Sequence, residues 1–339
     1  DSGSTTGAEI RFTLNAPIDS QYDESNRLTL SAGEEGRVTF NGDIGTREAP
    51  GALIVTDASG VVFGGESLPD FAPLSTVRVG GDPLDPDTFY LDIGQNTPIG
   101  SDGIVLNGGH DLDGEPLTLT IASAGGAMRF NGAVSLWSDV HIDTTDAESS
   151  FGSQIRFTQY AAIDSQDGEQ SDLILTAGEG SIEFNADLGS QQSLDRLEIT
   201  IADGGVVFGA SDEPEASGDG APVTAIRADG GIDLGSLAVL AEGIVFNAGL
   251  DAGDEQVLTI VTDGAGVRVN GPVTLASHLT IDSGSSPDGS ILFTDDSPVD
   301  CAAGEMNDLV LDAGEAGIEF NADIGAEQPL GRLEVTQAD

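Results

Sequence analysis

Carboxylates are the only chemically active groups this sequence holds in quantity. There are 59 Asp and Glu against 11 Arg, with no Lys and 3 His. Their most suggestive local pattern is His110-Asp-Leu-Asp-Gly-Glu115, where Asp111, Asp113 and Glu115 alternate around a glycine. Hard oxygen donors spaced this way suit calcium, although the full D-x-[DN]-x-[DN]-G loop signature is absent. A second set, Asp251, Asp254 and Glu255, keeps the charge in an equivalent place and loses the spacing. These residues make calcium the one possible cofactor. Asp43, Asp187 and Asp323 each stand two residues after an Asn and read as solvated turn carboxylates. His141 and His278 read as equivalent, partly buried turn residues. Cys301 aligns with Ser20 and Ser165, the pattern of a tolerated small residue, not a nucleophile. Trp137 aligns with Ala276 and Tyr160 with Asp296, which leaves two single aromatic residues for stacking on a sugar. No nucleophile-base pair and no phosphate loop is present, so the expected catalytic set is empty and the chain is not read as an enzyme.

The formal net charge of −48 bears on partners before any fold is considered. Such a chain repels the phosphates of nucleic acid and anionic membrane surfaces. No apolar run approaches the ~18 residues of a membrane span, so no membrane insertion is expected. The charge favours solubility, cation binding or a salty medium.

The elements that must carry these carboxylates are repeats. Gly152-Ser-Gln-Ile-Arg-Phe157 and Ile182-Glu-Phe-Asn-Ala-Asp-Leu-Gly189 have close relatives at Gly7-Ala-Glu-Ile-Arg-Phe12 and Val38-Thr-Phe-Asn-Gly-Asp-Ile-Gly45, and again at Gly289-Ser-Ile-Leu-Phe293 and Ile318-Glu-Phe-Asn-Ala-Asp-Ile-Gly325. The offset is about 140 residues, longer than the ~20 to 50 of a common solenoid unit. The copies are approximately 1–142, 143–281 and a partial 282–339. Both chain ends read as interior to a copy, which fits a stretch of a longer protein.

A shorter period lies inside the long one. An apolar strand end followed by Asn, Gly or Thr recurs at Phe12, Phe40, Phe63, Leu106, Phe130, Phe157, Phe184, Phe208, Phe246, Val269, Phe293 and Phe320. Most steps are roughly 25 residues, which is the size of a single solenoid coil. Two steps are distinctly longer, Phe63 to Leu106 and Phe208 to Phe246, and they occupy equivalent places in the two complete copies. Ten of the 13 phenylalanines fall in this column, so it marks one structural position. Short runs such as Leu173-Ile-Leu-Thr and Val257-Leu-Thr-Ile-Val261 alternate apolar and polar residues as strands do, and Gly-rich clusters separate them.

Like residues at one position per turn are what rung-on-rung stacking selects. Equivalent positions of a parallel β-helix lie ~4.8 Å apart, and aromatic neighbours across that spacing pack well. The expected fold is therefore all-β, a right-handed parallel β-helix (β-solenoid) of about 12 rungs. It would run as one continuous solenoid over residues 1–339, in five-rung blocks, with the Phe column as a single core ladder. Asn41, Asn107, Asn131, Asn185, Asn247, Asn270 and Asn321 after it should form the corner, since Asn and Gly tolerate left-handed backbone. The closely spaced Ile232-Asp-Leu234 and Ile244-Val-Phe246 suggest a wider rung or an excursion. The proline-rich segment Asp82 to Gly94 suggests a surface flap. Twelve rungs give a rod of roughly 60 Å, so its charge density of roughly one per 1.2 Å exceeds that of duplex DNA at ~1.7 Å.

The Phe-Asn-x-x-Ile-Gly and Leu-x-Leu-x-Ala-Gly patterns resemble the filamentous-haemagglutinin-like β-solenoid adhesins and related giant β-strand-repeat proteins of bacteria, across the whole chain. That resemblance implies a secreted, shaft-like protein and supplies no catalytic residue. The expected function is a structural extracellular shaft, filament or adhesin segment at the cell surface. Its expected partners are its own kind, end to end or along a longer chain, and a surface or glycan ligand. Two alternatives stand beside it: a calcium-dependent matrix or adhesin module, and a polysaccharide-active β-helix enzyme, which would need a groove with carboxylates that do not repeat.

Overall fold

The computed structural model describes residues 7–65, 74–81, 88–110, 116–146, 151–209, 223–251 and 254–339. The described residues contain no helix. Strands pair in parallel throughout, in two large sheets of 14 and 13 strands, and a two-stranded antiparallel ladder stands apart. Val134–Leu136 is followed by Val140–Asp143 and Ile155–Phe157, and the next strand, Ile163–Ser165, lies directly on Val134–Leu136. Leu173–Gly178 then lies on Val140–Asp143, and Ile182–Phe184 on Ile155–Phe157. Each coil therefore has three sides, and stacked sides make three faces. Long strands such as Arg27–Phe40 and Ala52–Phe63 turn a corner and belong to two faces at once, which is how three faces merge into two sheets.

Alternation sets the inside. Ile155 and Phe157 are buried while Arg156 between them is half-buried, and the same pattern holds in Ile182–Phe184, Val206–Phe208 and Ile291–Phe293. The period of two sends every second side chain to a core running the length of the coil. Consecutive rings stack nearly parallel, with centroids 4.8–5.4 Å apart, so the spacing of the backbone ladder is reproduced in the core. Each fully buried Phe removes enough apolar surface to contribute roughly 1.5–3 kcal/mol.

The single ladder expected from the sequence is corrected to three. Phe12, Phe40 and Phe63 stack on the first face and are continued by Leu106, then by Leu136, not by Phe130. Phe130, Phe157, Phe184, Phe208 and Phe246 stack on the third face, over Ile93 and under Leu275. Val269, Phe293 and Phe320 lie on the second face above Leu234. Phe12, Phe157 and Phe293, equivalent in sequence, thus occupy three different faces. Each copy is turned by one face relative to the copy before it.

This turn resolves the two irregular segments. Leu234 and Phe246 are ends of consecutive sides of one coil, neither a wider rung nor an excursion. The expected flap holds a core strand, Phe89–Ile93, paired with Ala52–Phe63 and Ala127–Phe130; residues 82–87 lie outside the described residues.

The Asn corners are real, by a mechanism other than left-handed backbone. No Asn has positive φ among the described residues; Gly64 (φ 77°) and Gly209 (φ 81°) take that geometry in the same column. A Cβ on Gly64 would lie 1.9 Å from the Asn107 carbonyl oxygen, so the coil spacing itself demands glycine. The Asn side chains tie coils together. Asn131 Nδ2 donates to the Gly94 carbonyl at 2.7 Å and its Oδ1 accepts from Thr158 Oγ1 at 2.7 Å. Asn270 repeats both bonds, to Gly235 at 2.9 Å and from Thr294 at 2.8 Å, on another face.

Candidate functional site

Carboxylates at the corners hold backbone. Asp43 Oδ1 accepts the N–H groups of Ser75 and Thr76 at 2.9 and 3.1 Å, and Asp187 Oδ1 those of Thr224 and Ala225 at 2.7 and 3.0 Å. Asp43 and Asp187 are thus clamps on the next coil, which corrects their reading as merely solvated; Asp323, in the last copy, accepts the Val299 N–H with its backbone carbonyl. A charged acceptor on two amides is a strong fastening. Ser20, Ser165 and Cys301 are equivalent, as the alignment proposed. Each accepts the backbone N–H six residues on, from Asn26, Ser171 and Asn307, at 3.2, 3.1 and 3.1 Å.

Of the calcium candidates, Asp111, Asp113 and Glu115 lie outside the described residues, flanked by an antiparallel bridge between His110 and Pro116. Asp251 and Asp254 pair backbone to backbone in the two-residue antiparallel ladder, and their side chains are outside the description. The residues flanking the two sets are bonded alike: Leu117 N bonds Gly109 O at 2.8 Å, and Gln256 N bonds Gly249 O at 3.2 Å. The described segments beside them follow strands on different faces, Gly103–Leu106 and Ile244–Phe246. Among the described residues no group of three or more His, Cys, Asp or Glu is gathered as a metal site.

The histidine equivalence needs correction. Asp172 N donates to Asp139 Oδ1 at 3.0 Å, and Asp308 N donates to His278 Nδ1 at 2.9 Å. His278 therefore does the work of Asp139, and His141, which contacts Thr176 Oγ1 through Nε2 at 3.1 Å, is a separate position. The sequence match followed residue type where register was the better guide.

Asp172 is the most perturbed acid described. Burial, then the charges of Asp139 and Asp195, push its carboxyl up to about 6, with Arg196 opposing. Its Oδ1 is buried without a hydrogen-bond partner. Asp92, 2 % exposed, is also raised by burial, against the lowering effect of Arg129. Arg129 meets it with two bonds, 2.9 and 3.1 Å. Arg268 and Asp233 form the equivalent pair at 2.9 Å on another face, which marks these charges as part of the repeat.

One open groove of about 520 Å³ lies along the first face, floored by Ile104 and Val134 and lined by Asp102, Ser135, Asp164, Asp167, Gln191 and Gln192. It crosses successive coils. Asp102 Oδ2 accepts from Arg37 at 3.0 Å. Asp164 Oδ1 accepts the N–H groups of Gln191 and Gln192 at 2.8 and 3.2 Å. The Trp137 indole N–H donates to Ser135 Oγ at 3.0 Å at the groove wall. Tyr160, two residues before the lining residue Ala162, is 50 % exposed. The sequence identified both aromatics; it could not identify the groove, because its lining comes from strands on successive coils that are distant along the chain.

No family model matches the chain, and no curated protein or solved structure matches it.

Proposed function

We propose that this chain is a segment of an extracellular structural shaft, filament or adhesin at a cell surface, built as one continuous solenoid over residues 1–339. The observation that carries this reading is the continuity of the three faces: parallel pairing passes from Ile10–Phe12 to Arg332–Gln337 through every described coil. Such an object is long for its mass. Its strength comes from backbone ladders along the axis, stacked Phe in the core and Asp and Asn fasteners between coils, so it suits carrying load or spacing better than enclosing a reaction.

The finer architecture is a right-handed coil of about 12 rungs. Right-handedness is favoured because parallel strands joined by a crossover adopt that hand in about 98 % of cases. Phe12 to Phe40, Phe63, Leu106 and Leu136 is four coils, and two further sides reach Phe157. A block is then four and two-thirds coils, where five had been expected. Partners fitting this reading are further copies or further length of the same coil, and a surface glycan; the −48 charge disfavours nucleic acid and anionic membrane.

Electron microscopy of the native particle tests the proposal. Thin unbranched rods, lengthening by roughly 60 Å per 339 residues at ~4.8 Å per coil, would support it, and compact particles would reject it. The calcium-dependent alternative is favoured by one observation, the recurrence of the acidic sets Asp111, Asp113, Glu115 and Asp251, Asp254 at equivalent places in the two complete copies. Chelation at constant ionic strength separates the two: loss of β-structure would favour calcium, and survival in sodium alone would favour the self-sufficient rod.

A further inference from the structure

In a repeat protein the informative residues are those that break the repeat, and here the rotated copy supplies an internal control for the groove. The backbone is the same at both places. Ile104 N bonds Ala133 O at 2.7 Å and Val134 N bonds Ala162 O at 2.7 Å; on the third face Ile244 N bonds Pro272 O at 2.7 Å and Val273 N bonds Pro298 O at 2.8 Å. The Asp164 clamp on Gln191 and Gln192 is matched by Asp300 on Glu327 and Gln328, both at 2.9 Å. The side chains differ. Ala133 and Ala162 stand where the copy has Pro272 and Pro298, Trp137 where it has Ala276, Tyr160 where it has Asp296, and Gln191 where it has Glu327.

These departures change shape and stacking, not charge. Two bulky residues become small at the groove, Trp137 is bonded to the lining Ser135 and Tyr160 stands two residues before the lining Ala162, while Gln191 for Glu327 and Asp167 for Ala303 leave the charge of the lining the same. We propose that this groove is a binding site for an uncharged, linear glycan lying along the rod axis. Amide, hydroxyl and carboxylate groups on Gln191, Ser135 and Asp164 suit sugar hydroxyls, which both donate and accept. The indole and phenol rings suit the apolar face of a pyranose, an apolar body with a polar rim. Coils recur every ~4.8 Å, close to the length one pyranose unit adds to an extended chain, so successive coils offer similar groups to successive sugars. The net charge of −48 selects against uronic and sulfated polymers. The site goes beyond the shaft reading and does not depend on it: particle shape by microscopy tests the shaft, and oligosaccharide titration tests the groove.

The chain has one tryptophan, so its emission reports on this groove alone. Soluble cello-, malto- and N-acetylglucosamine oligosaccharides should be titrated in 0.5 M sodium chloride, beside polygalacturonate and calcium alone. A saturable change with at least one neutral series, absent with polygalacturonate and calcium, is expected. Ala133→Pro with Ala162→Pro, which installs the residues of the rotated copy, should weaken that binding by at least about tenfold, the scale of one lost stacking contact. Should that variant fail to fold by circular dichroism, Trp137→Ala read by affinity electrophoresis decides, with the same loss expected. No response to any neutral series, a response to calcium or polygalacturonate alone, or undiminished binding by a folded variant would overturn the proposal.

Discussion

Two junctions between copies, on different faces of the rod, share a backbone and differ in what they show to solvent. At the first, Asp172 sits among Asp139 and Asp195 with Arg196 beside them. At the second, the same positions hold Asp308, His278, Gly331 and Arg332. Asp308 is there held by His278 at 2.9 Å and by Arg332 at 3.2 Å. Core residues, Asn fasteners and backbone clamps coincide at both. The difference teaches that stacking and corner bonds fix the coil, whereas outward side chains are free to set local charge and ligand chemistry.

The comparison breaks most easily at what the junctions share. Phe184→Ala, deep in the stacked core, should cost about 3–5 kcal/mol through lost burial and the cavity left. Denaturant titration checks this, and an unchanged midpoint would contradict the stacked core. Next come Asn131→Ala and Asn270→Ala. Each removes two matched bonds between coils, and each should cost about 1–3 kcal/mol; clearly unequal losses would show that the junctions are not fastened alike.

Acidity should separate the junctions. Because the folded carboxyl of Asp172 titrates near 6, above its ordinary value, the folded state carries a penalty above pH 6. That penalty is relieved as pH falls through 6 toward the unfolded value near 4. Melting temperature should therefore gain from this group between pH 7.5 and 5; the gain should vanish in Asp172→Asn and shrink in Asp139→His with Asp195→Gly, which gives the first junction the residues of the second and leaves the burial of Asp172, the larger cause, in place. A variant that keeps the full pH dependence would place its source elsewhere. The smallest effect belongs to Ala133→Pro with Ala162→Pro: neither nitrogen is needed by the backbone bonds at these positions in the rotated copy, so stability should change by less than about 1 kcal/mol.

The sequence carried the strand ends, the buried Phe positions and the corner Asn, because each is fixed by a local requirement that repeats. It did not carry the change of face. The step from Leu106 to Phe130 is as long as a full coil elsewhere, yet it spans only two sides. Corners differ in length, and a column of like residues cannot reveal how many corners lie between them. Asp43 and Asp187 looked like solvent-facing acids because their partners are backbone amides of the next coil, distant along the chain. The groove was invisible for the same reason, while its two aromatics were already conspicuous as departures from the repeat.

The turn of each copy by one face has a mechanical consequence. Because the rings move by a third of a revolution per copy, roughly every 22 Å at ~4.8 Å per coil, any bend that a stack of rings imposes is shared among all three sides instead of accumulating on one.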